Sequence, residues 1–325
     1  MAVKETILVA GASGFIGSAL LKTLSEKDYT VLQLVRHQHE HETANVKQIY
    51  WDPEKEYLEP AALGNLEETP LKAVICLSGA GIADKIWTQK RKETLESSRL
   101  KPLQTLIKTL ETLPPQHRPS KLITASAVGY YGANASQNHS EITETSPAGT
   151  DFLAQLCQKW ETAGAAAENL NIPVAHLRTG LVMHPSGGLL KTFDKLYRYG
   201  LGAQLGTGEN WMPLITLRDH VRAICHVLET PELTGPVNLV GPNPVPARDF
   251  HQFMAERTRR PKWIKIPRAL LHLAPEQIQL LALANQRVLP KRLEETGFVF
   301  KDADVLKAIE EESWYHGARI VAPGK

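Results

Sequence analysis

"TILVAGASGFIGSALLKTLSEK", residues 6–27, decides the fold. Its first six residues form an apolar run that reads as a buried strand. The stretch 15–27 places Ile16, Leu20, Leu21 and Leu24 at helical spacing. Between strand and helix stand Gly11, Gly14 and Gly17. A glycine triplet alone is a weak signal, but a strand before it and a helix after it are the context that a dinucleotide-binding loop requires. The first glycine permits the tight turn. The second lets the backbone approach a pyrophosphate, and the third allows close packing of helix on strand. Free N–H groups and the helix dipole then face the phosphates. Ser13, Phe15 and Ile16 belong to the same loop and join the three glycines as cofactor-binding candidates.

Outward from this loop, short apolar runs alternate with amphipathic stretches. Strands are predicted at 29–36, 48–52, 72–79, 121–127 and 173–180, and helices at 89–113 and 151–170, with Pro102 kinking or breaking the first of these helices. Repeated strand–helix units imply an α/β fold, a doubly wound parallel sheet of Rossmann type whose strands are buried on both faces. After residue 180 the pattern changes. Glycines crowd 187–208, one more strand reads at 236–242, and the last 75 or so residues mix helices with proline-rich joints. The expected organisation is a nucleotide-binding domain from 1–180 and about 214–242, with a smaller interleaved C-terminal α+β substrate lobe from 181–213 and 243–325.

The end of the second strand indicates which dinucleotide is bound. NAD enzymes place an acidic residue about 20 positions beyond the glycine loop to bond the ribose 2′-hydroxyl. Here Arg36 occupies that place, with no Asp or Glu between Asp28 and Glu40. A guanidinium suits a 2′-phosphate, so NADP(H) is expected over NAD(H); the plain alternative is a solvent arginine after a strand.

Bulk properties exclude several classes. Of 325 residues, 42% are hydrophobic and 22% charged, and the net charge is +2, which points away from a nucleic-acid binder. No run of about 18 apolar residues appears, so no membrane span is expected. The N-terminus lacks a signal-peptide pattern. Cys76, Cys157 and Cys225 are scattered and odd in number, which suits thiols in a reducing compartment and a cytoplasmic location. His37, His39 and His41 alternate, as metal ligands or as a solvated loop. The basic cluster Arg257, Arg259, Arg260, Lys262, Lys265 and Arg268 reads as a solvated face or a phosphate contact.

Several blocks carry a family resemblance: "GASGFIG", "ICLSGAGIADKIWTQKRKETLESSRL", "SAVGYYG", "DFLAQLCQKWE", "LRTGLVM", "LGTGENWMPLITLRDHVRAI" and "QRVLPKRLEETGFVF". The chain resembles the atypical extended short-chain dehydrogenase/reductase superfamily, in the NAD-dependent epimerase/dehydratase-like subgroup labelled epimerase family protein. The resemblance spans nearly the whole chain. It implies further cofactor contacts at Leu77, Ser78 and Gly79 after the fourth strand, at Thr94 and Arg99 on the following helix, and at Val182 beside the nicotinamide. In the substrate cleft it implies Asn210, Trp211 and Met212, while Asp219 caps or pins the next helix. Related folds dimerise through the helices at 89–113 and 151–170, whose apolar faces suit either a homodimer or a core.

The superfamily's acid–base pair, Tyr-x-x-x-Lys, is missing from "DFLAQLCQKWE" (151–161). Residues four apart share a helical face, which lets the lysine lower the tyrosine pKa. Registered on Glu161, the helix offers Leu153 and Cys157; shifted by one, it offers Phe152 and Leu156. Lys159 lies roughly 200° around the helix from Cys157 and cannot substitute. "ITASAVGYYG" supplies Ser126, Tyr130 and Tyr131. The resemblance gives a Ser or Thr here a hold on the substrate oxygen, and Ser126 and Tyr131 are the catalytic candidates. Either tyrosine reads as a proton donor or as packing, and Cys157 reads as a thiol acid or an inert buried cysteine. Two functions therefore stand: an NADP(H)-dependent oxidoreductase or epimerase-like enzyme on a small carbonyl or nucleotide-sugar substrate, or a non-catalytic NADP(H)-binding sensor or interaction protein.

Overall fold

The computed structural model describes residues 4–27, 29–37, 45–136, 140–200, 202–205, 207–259, 264–266 and 275–311. The chain divides into two compact units. One comprises residues 1–126, 158–177 and 224–236, the other 127–157, 178–223 and 237–325.

The first unit begins with β1 (Glu5–Ala10), the glycine loop, and α1 (Phe15–Ser25). β2 (Tyr29–Val35), β3 (Val46–Asp52) and the short β4 (Tyr57–Leu58) follow, then β5 (Leu71–Cys76). α2 (Gln89–Thr112) leads to β6 (Lys121–Ala127), and α3 (Phe152–Ala165) leads to β7 (Val174–Thr179). With the later strand β9 (Gly235–Leu239), they order as β9-β7-β6-β5-β1-β2-β3-β4 in one sheet. β1 pairs in parallel with both β2 and β5, so the chain winds outward in two directions from β1, with the crossover between β1 and β5. Ligands in such sheets lie at that crossover, beyond the carboxyl ends of the strands. β3 is the exception to all-apolar strands. Toward the sheet edge its burial alternates, as in a strand with one face in water.

Pro102 does not break α2, which runs for 24 residues through it. A proline forfeits one helical hydrogen bond, but Leu95, Leu103, Leu106 and Leu110 on the same helix are buried in the core, and that packing holds the helix together. α3 is shorter than its amphipathic pattern suggests, giving way to a 3₁₀ turn at Ala166–Leu170. Lys121, only 4% exposed, donates to the carbonyls of Val227 and Thr230 at the end of the helix Leu217–Glu229.

In the second unit, a core of Met183, Leu190, Tyr197, Leu214, Phe250, Met254 and Ile309 gathers the C-terminal helices. A separate brace ties down the turn Val128–Tyr131 that follows β6. Gln286 is buried and donates through Nε2 to the carbonyls of Val128 at 3.0 Å and Gly132 at 2.8 Å. Its neighbour Asn285 donates through its backbone N–H to Ala133, and its side chain links Ser136 with Trp211. Asp219 does pin its surroundings, accepting from the backbone N–H groups of Lys301 and Asp302 and pairing with Arg222. Among the described residues no helix is long and apolar enough to cross a membrane.

Removing the Gln286 amide leaves two buried carbonyls without their donor. Gln286→Ala is expected to lower stability by about 2 kcal/mol, read as a shift in the urea unfolding midpoint.

Candidate functional site

In the first unit the glycine loop is held by backbone contact. Gly11 has φ +82°, and a Cβ there would come within 2.7 Å of Leu77 C and 2.8 Å of Ser78 N. Only glycine allows the end of β1 to lie this close to the segment leaving β5. A Cβ on Gly17 would run into the Gly11 carbonyl, so that glycine serves helix–strand packing. Gly14 is different: it is exposed, and a Cβ would meet nothing nearer than the Gly11 carbonyl oxygen at 3.4 Å. It stands at the N-cap of α1, where no side chain caps the helix and no acidic residue occupies the first turn. Ser13 beside it is also exposed, while Phe15 and Ile16 are half-buried. The loop is thus shaped for an anion to meet backbone rather than side chains.

Arg36 is exposed in the bend just after β2. His37 is exposed next to it, and His39 and His41 lie outside the described residues, as do Arg260, Lys262 and Arg268. Arg257 pairs with Asp194 at 3.3 Å, and Lys265 lies on the strand Ile264–Ile266. Among the described residues no group of three or more His, Cys, Asp or Glu could hold a metal ion.

Leu77 and Ser78 are half-buried and Gly79 is exposed. Arg99 is buried rather than open to the loop's outer side. Its guanidinium donates to the Leu95 carbonyl at 2.8 Å and the Ala80 carbonyl at 3.0 Å, and its Cζ lies 4.9 Å from the centre of the Trp160 ring. Thr94 is exposed on α2 and donates its hydroxyl to Lys90 O. Val182, of β8 (Leu181–His184) in the second unit, is buried and pairs in register with Ile215.

At the end of β6, Ser126 donates its hydroxyl to Glu161 Oε1 at 2.7 Å. Glu161 lies 35 residues from Ser126, and a pair at that separation leaves no local signal in the sequence. On the same face of α3, Leu153 Cβ and Cys157 Sγ lie 3.4 and 3.6 Å from where a Cβ on Gly129 would be. The face that would carry the tyrosine and lysine instead supports the Val128–Tyr131 turn. Lys159 points elsewhere, to Glu96 at 2.8 Å.

Tyr131 is 3% exposed and its hydroxyl is doubly engaged. It donates to Asn238 Oδ1 at 2.6 Å and accepts from Arg178 at 3.0 Å. Burial pushes its phenol up to about 12, against the opposing pull of the Arg178 charge. The Arg178 guanidinium also lies 3.4 Å from the Tyr130 ring centre and donates to the Glu144 carbonyl. The Glu144 carboxylate accepts from the backbone N–H groups of Asn238 and Arg292 through Oε1, while its buried Oε2 has no hydrogen-bond partner among the described residues. Asn210 donates to the Ala284 carbonyl, and Trp211 and Met212 are half-buried on the short strand Trp211–Met212.

Burial raises the Glu144 carboxyl above its ordinary 4.5, so the folded chain holds that proton more tightly than the unfolded one. The resulting contribution is full below pH 4.5 and lost as pH rises through the raised value. Glu144→Gln keeps the Oε1 acceptor without the charge. In thermal melts it is expected to unfold at a higher temperature than wild type at pH 7, the gap closing as pH falls toward 4.5.

Comparison with known proteins extends these local observations to the whole chain. The family model described as "NAD dependent epimerase/dehydratase family" matches residues 7–241, and one described as "Domain of unknown function (DUF1731)" matches 266–312. Epimerase family protein Mb2239 of Mycobacterium bovis is 38% identical over 304 residues, covering 93% of this chain and 96% of its own length. The crystal structure of human epimerase family protein SDR39U1 (isoform 2) with NADPH is similar at TM-score 0.76 and 25% identity, over 94% of this chain and 98% of that one. A nucleoside-diphosphate sugar epimerase from Corynebacterium glutamicum is similar at TM-score 0.74 and 28% identity, over 96% of this chain and 59% of that one. The chain belongs to the NAD-dependent epimerase/dehydratase family.

Proposed function

We propose that this protein binds NADP(H) and acts as an epimerase-like oxidoreductase on a small carbonyl compound or a nucleotide sugar. The observation that carries the proposal is the glycine loop: Gly11 lies against Leu77–Ser78 at the sheet's crossover, Gly14 is open, and α1 is uncapped. These residues fit a dinucleotide, since Gly14, exposed at the N-terminus of α1, carries no side chain to keep a pyrophosphate from the backbone. Support for the phosphorylated form comes from Arg36, exposed at the end of β2, and from the NADPH bound to the similar human protein. The nucleotide-sugar class draws on the description of the similar Corynebacterium protein. Three buried, unbridged cysteines suit a cytoplasmic setting.

Bound nicotinamide would supply the hydride donor or acceptor. The chain's task is to hold it: backbone N–H groups at the start of α1 for the pyrophosphate, Arg36 for the 2′-phosphate, and the Leu77–Gly79 backbone along the nucleotide. Ser126 is the candidate hydroxyl for a substrate oxygen, its proton directed to Glu161. A titration of apo protein with NADPH and NADH, followed by nicotinamide fluorescence, tests the cofactor. NADPH is expected to bind more tightly, and Arg36→Ala to erase the preference by weakening NADPH about tenfold or more. Failure of either nucleotide to bind would refute the proposal.

A second reading, a non-catalytic NADP(H)-binding protein, is favoured by the Leu153–Cys157 face packed beneath Gly129 and by the fully engaged Tyr131 hydroxyl. The two readings separate on a panel of carbonyl substrates with NADPH. The enzyme reading expects turnover that falls by at least about tenfold in Ser126→Ala. Absence of NADPH oxidation across the panel, with binding intact, favours the sensor.

A further inference from the structure

We infer that Ser98 and Arg99 are a positioning pair for the dinucleotide, acting through the peptide of Ala80 rather than by touching the cofactor. This rests on the NADP(H)-binding proposal above. The two residues are adjacent on α2 and grip opposite ends of one loop residue. Ala80 N–H donates to Ser98 Oγ at 3.0 Å, and Arg99 donates to the Ala80 carbonyl at 3.0 Å. Holding both polar groups of a residue fixes its orientation in a way that one bond does not. Both clamping side chains are anchored to the same point, since Ser98 Oγ donates to Leu95 O at 3.2 Å and Arg99 donates there at 2.8 Å.

Arg99 is also the middle layer of a stack. Above it lies exposed Gly79, where a Cβ would sit 3.4 Å from the arginine Cγ and Cζ; beside it is the Trp160 ring, with Cζ 4.9 Å from its centre. At 8% exposure, Arg99 is largely shielded and placed under the loop backbone rather than presented to a ligand. The stretch it steadies, Leu77–Ala80, includes the residues against which Gly11 rests. Fixing Ala80 therefore fixes the shape of the surface that the nucleotide meets, whichever form of the nucleotide is bound.

That last point separates positioning from contact. A guanidinium that touched the 2′-phosphate would affect NADPH alone, whereas a loop clamp affects NADPH and NADH equally. Full-length apo protein, wild type and variants, is titrated with each nucleotide by nicotinamide fluorescence, well below each variant's apo melting temperature. Arg99→Lys keeps the charge and loses the planar fork and the stack. It is expected to weaken both nucleotides by about tenfold, and Ser98→Ala by about threefold, with the NADPH preference retained in each. Ser98→Thr, which keeps the hydroxyl, is expected to bind like wild type. The inference is overturned if Ser98→Ala and Arg99→Lys both bind within about twofold of wild type, or if Arg99→Lys weakens NADPH alone. Alanine favours a helix, so Ser98→Ala decides the matter if Arg99→Lys does not fold. Should wild type bind neither nucleotide, the cofactor proposal fails and takes this inference with it, an outcome distinct from loss in the variants.

Discussion

The close approach of Gly11 to the backbone of Leu77 and Ser78 is the constraint on which the rest of the site depends. Any side chain at residue 11 would collide with main-chain atoms, which cannot swing aside as a flexible side chain can. β1 and β5 are the two strands where the winding of the sheet reverses, so a gap there would separate the glycine loop from the segment it faces. Gly17 makes the companion demand from the helix side, bringing α1 down onto Gly11 and Ala12. Two glycines thus serve packing and leave the third, Gly14, open at the helix N-terminus. The two that make the loop foldable thereby leave Gly14 approachable by a phosphate.

Much of this was legible because the signals are local. A glycine that must have φ +82° leaves its mark at one position, and strand–helix alternation is written in short apolar runs. The fold class, the glycine loop and the exposed Arg36 all follow from stretches of fewer than about 30 residues. A break at Pro102 does not occur, for a physical reason. The proline rule concerns one lost backbone bond, and it cannot weigh the buried leucines on either side that keep α2 intact. The partners of Ser126 and Gln286 were not legible. Ser126 meets Glu161, 35 residues away, and Gln286 meets Val128 and Gly132, more than 150 residues away. Polar pairs at such separations follow no period, so neither spacing nor composition announces them. Arg99 lay between these cases: the family resemblance pointed to it, but the hold on Ala80 that it shares with Ser98 appears only once α2 and the loop after β5 are placed side by side.

The absence of the tyrosine–lysine pair also takes on a structural meaning. A phenol acts as an acid or base when its proton is free to move toward substrate and a nearby cation lowers its pKa. Tyr131 has a cation beside it in Arg178, yet burial outweighs that charge and its proton is committed to Asn238. The arginine's remaining reach goes to the Tyr130 ring and the Glu144 carbonyl. These side chains therefore act as one brace, with Glu144 in turn holding the backbone at Asn238 and Arg292.

That brace explains why the face of α3 can be apolar. In a Tyr-x-x-x-Lys helix, the corresponding positions must stay open to reacting groups. Here Leu153 and Cys157 lie against Gly129, and Gln286 secures the same turn from its two ends. A bulky phenol at 153 or a longer ammonium side chain at 157 would press on the turn that Gly129 brings against this face of α3. Restoring the missing pair by substitution would therefore require moving the turn as well as changing two side chains. The loss of the pair and the C-terminal brace are parts of one packing solution, and any proton chemistry must be arranged around it, with Ser126 and Glu161 the hydroxyl–carboxylate pair at the end of the neighbouring strand.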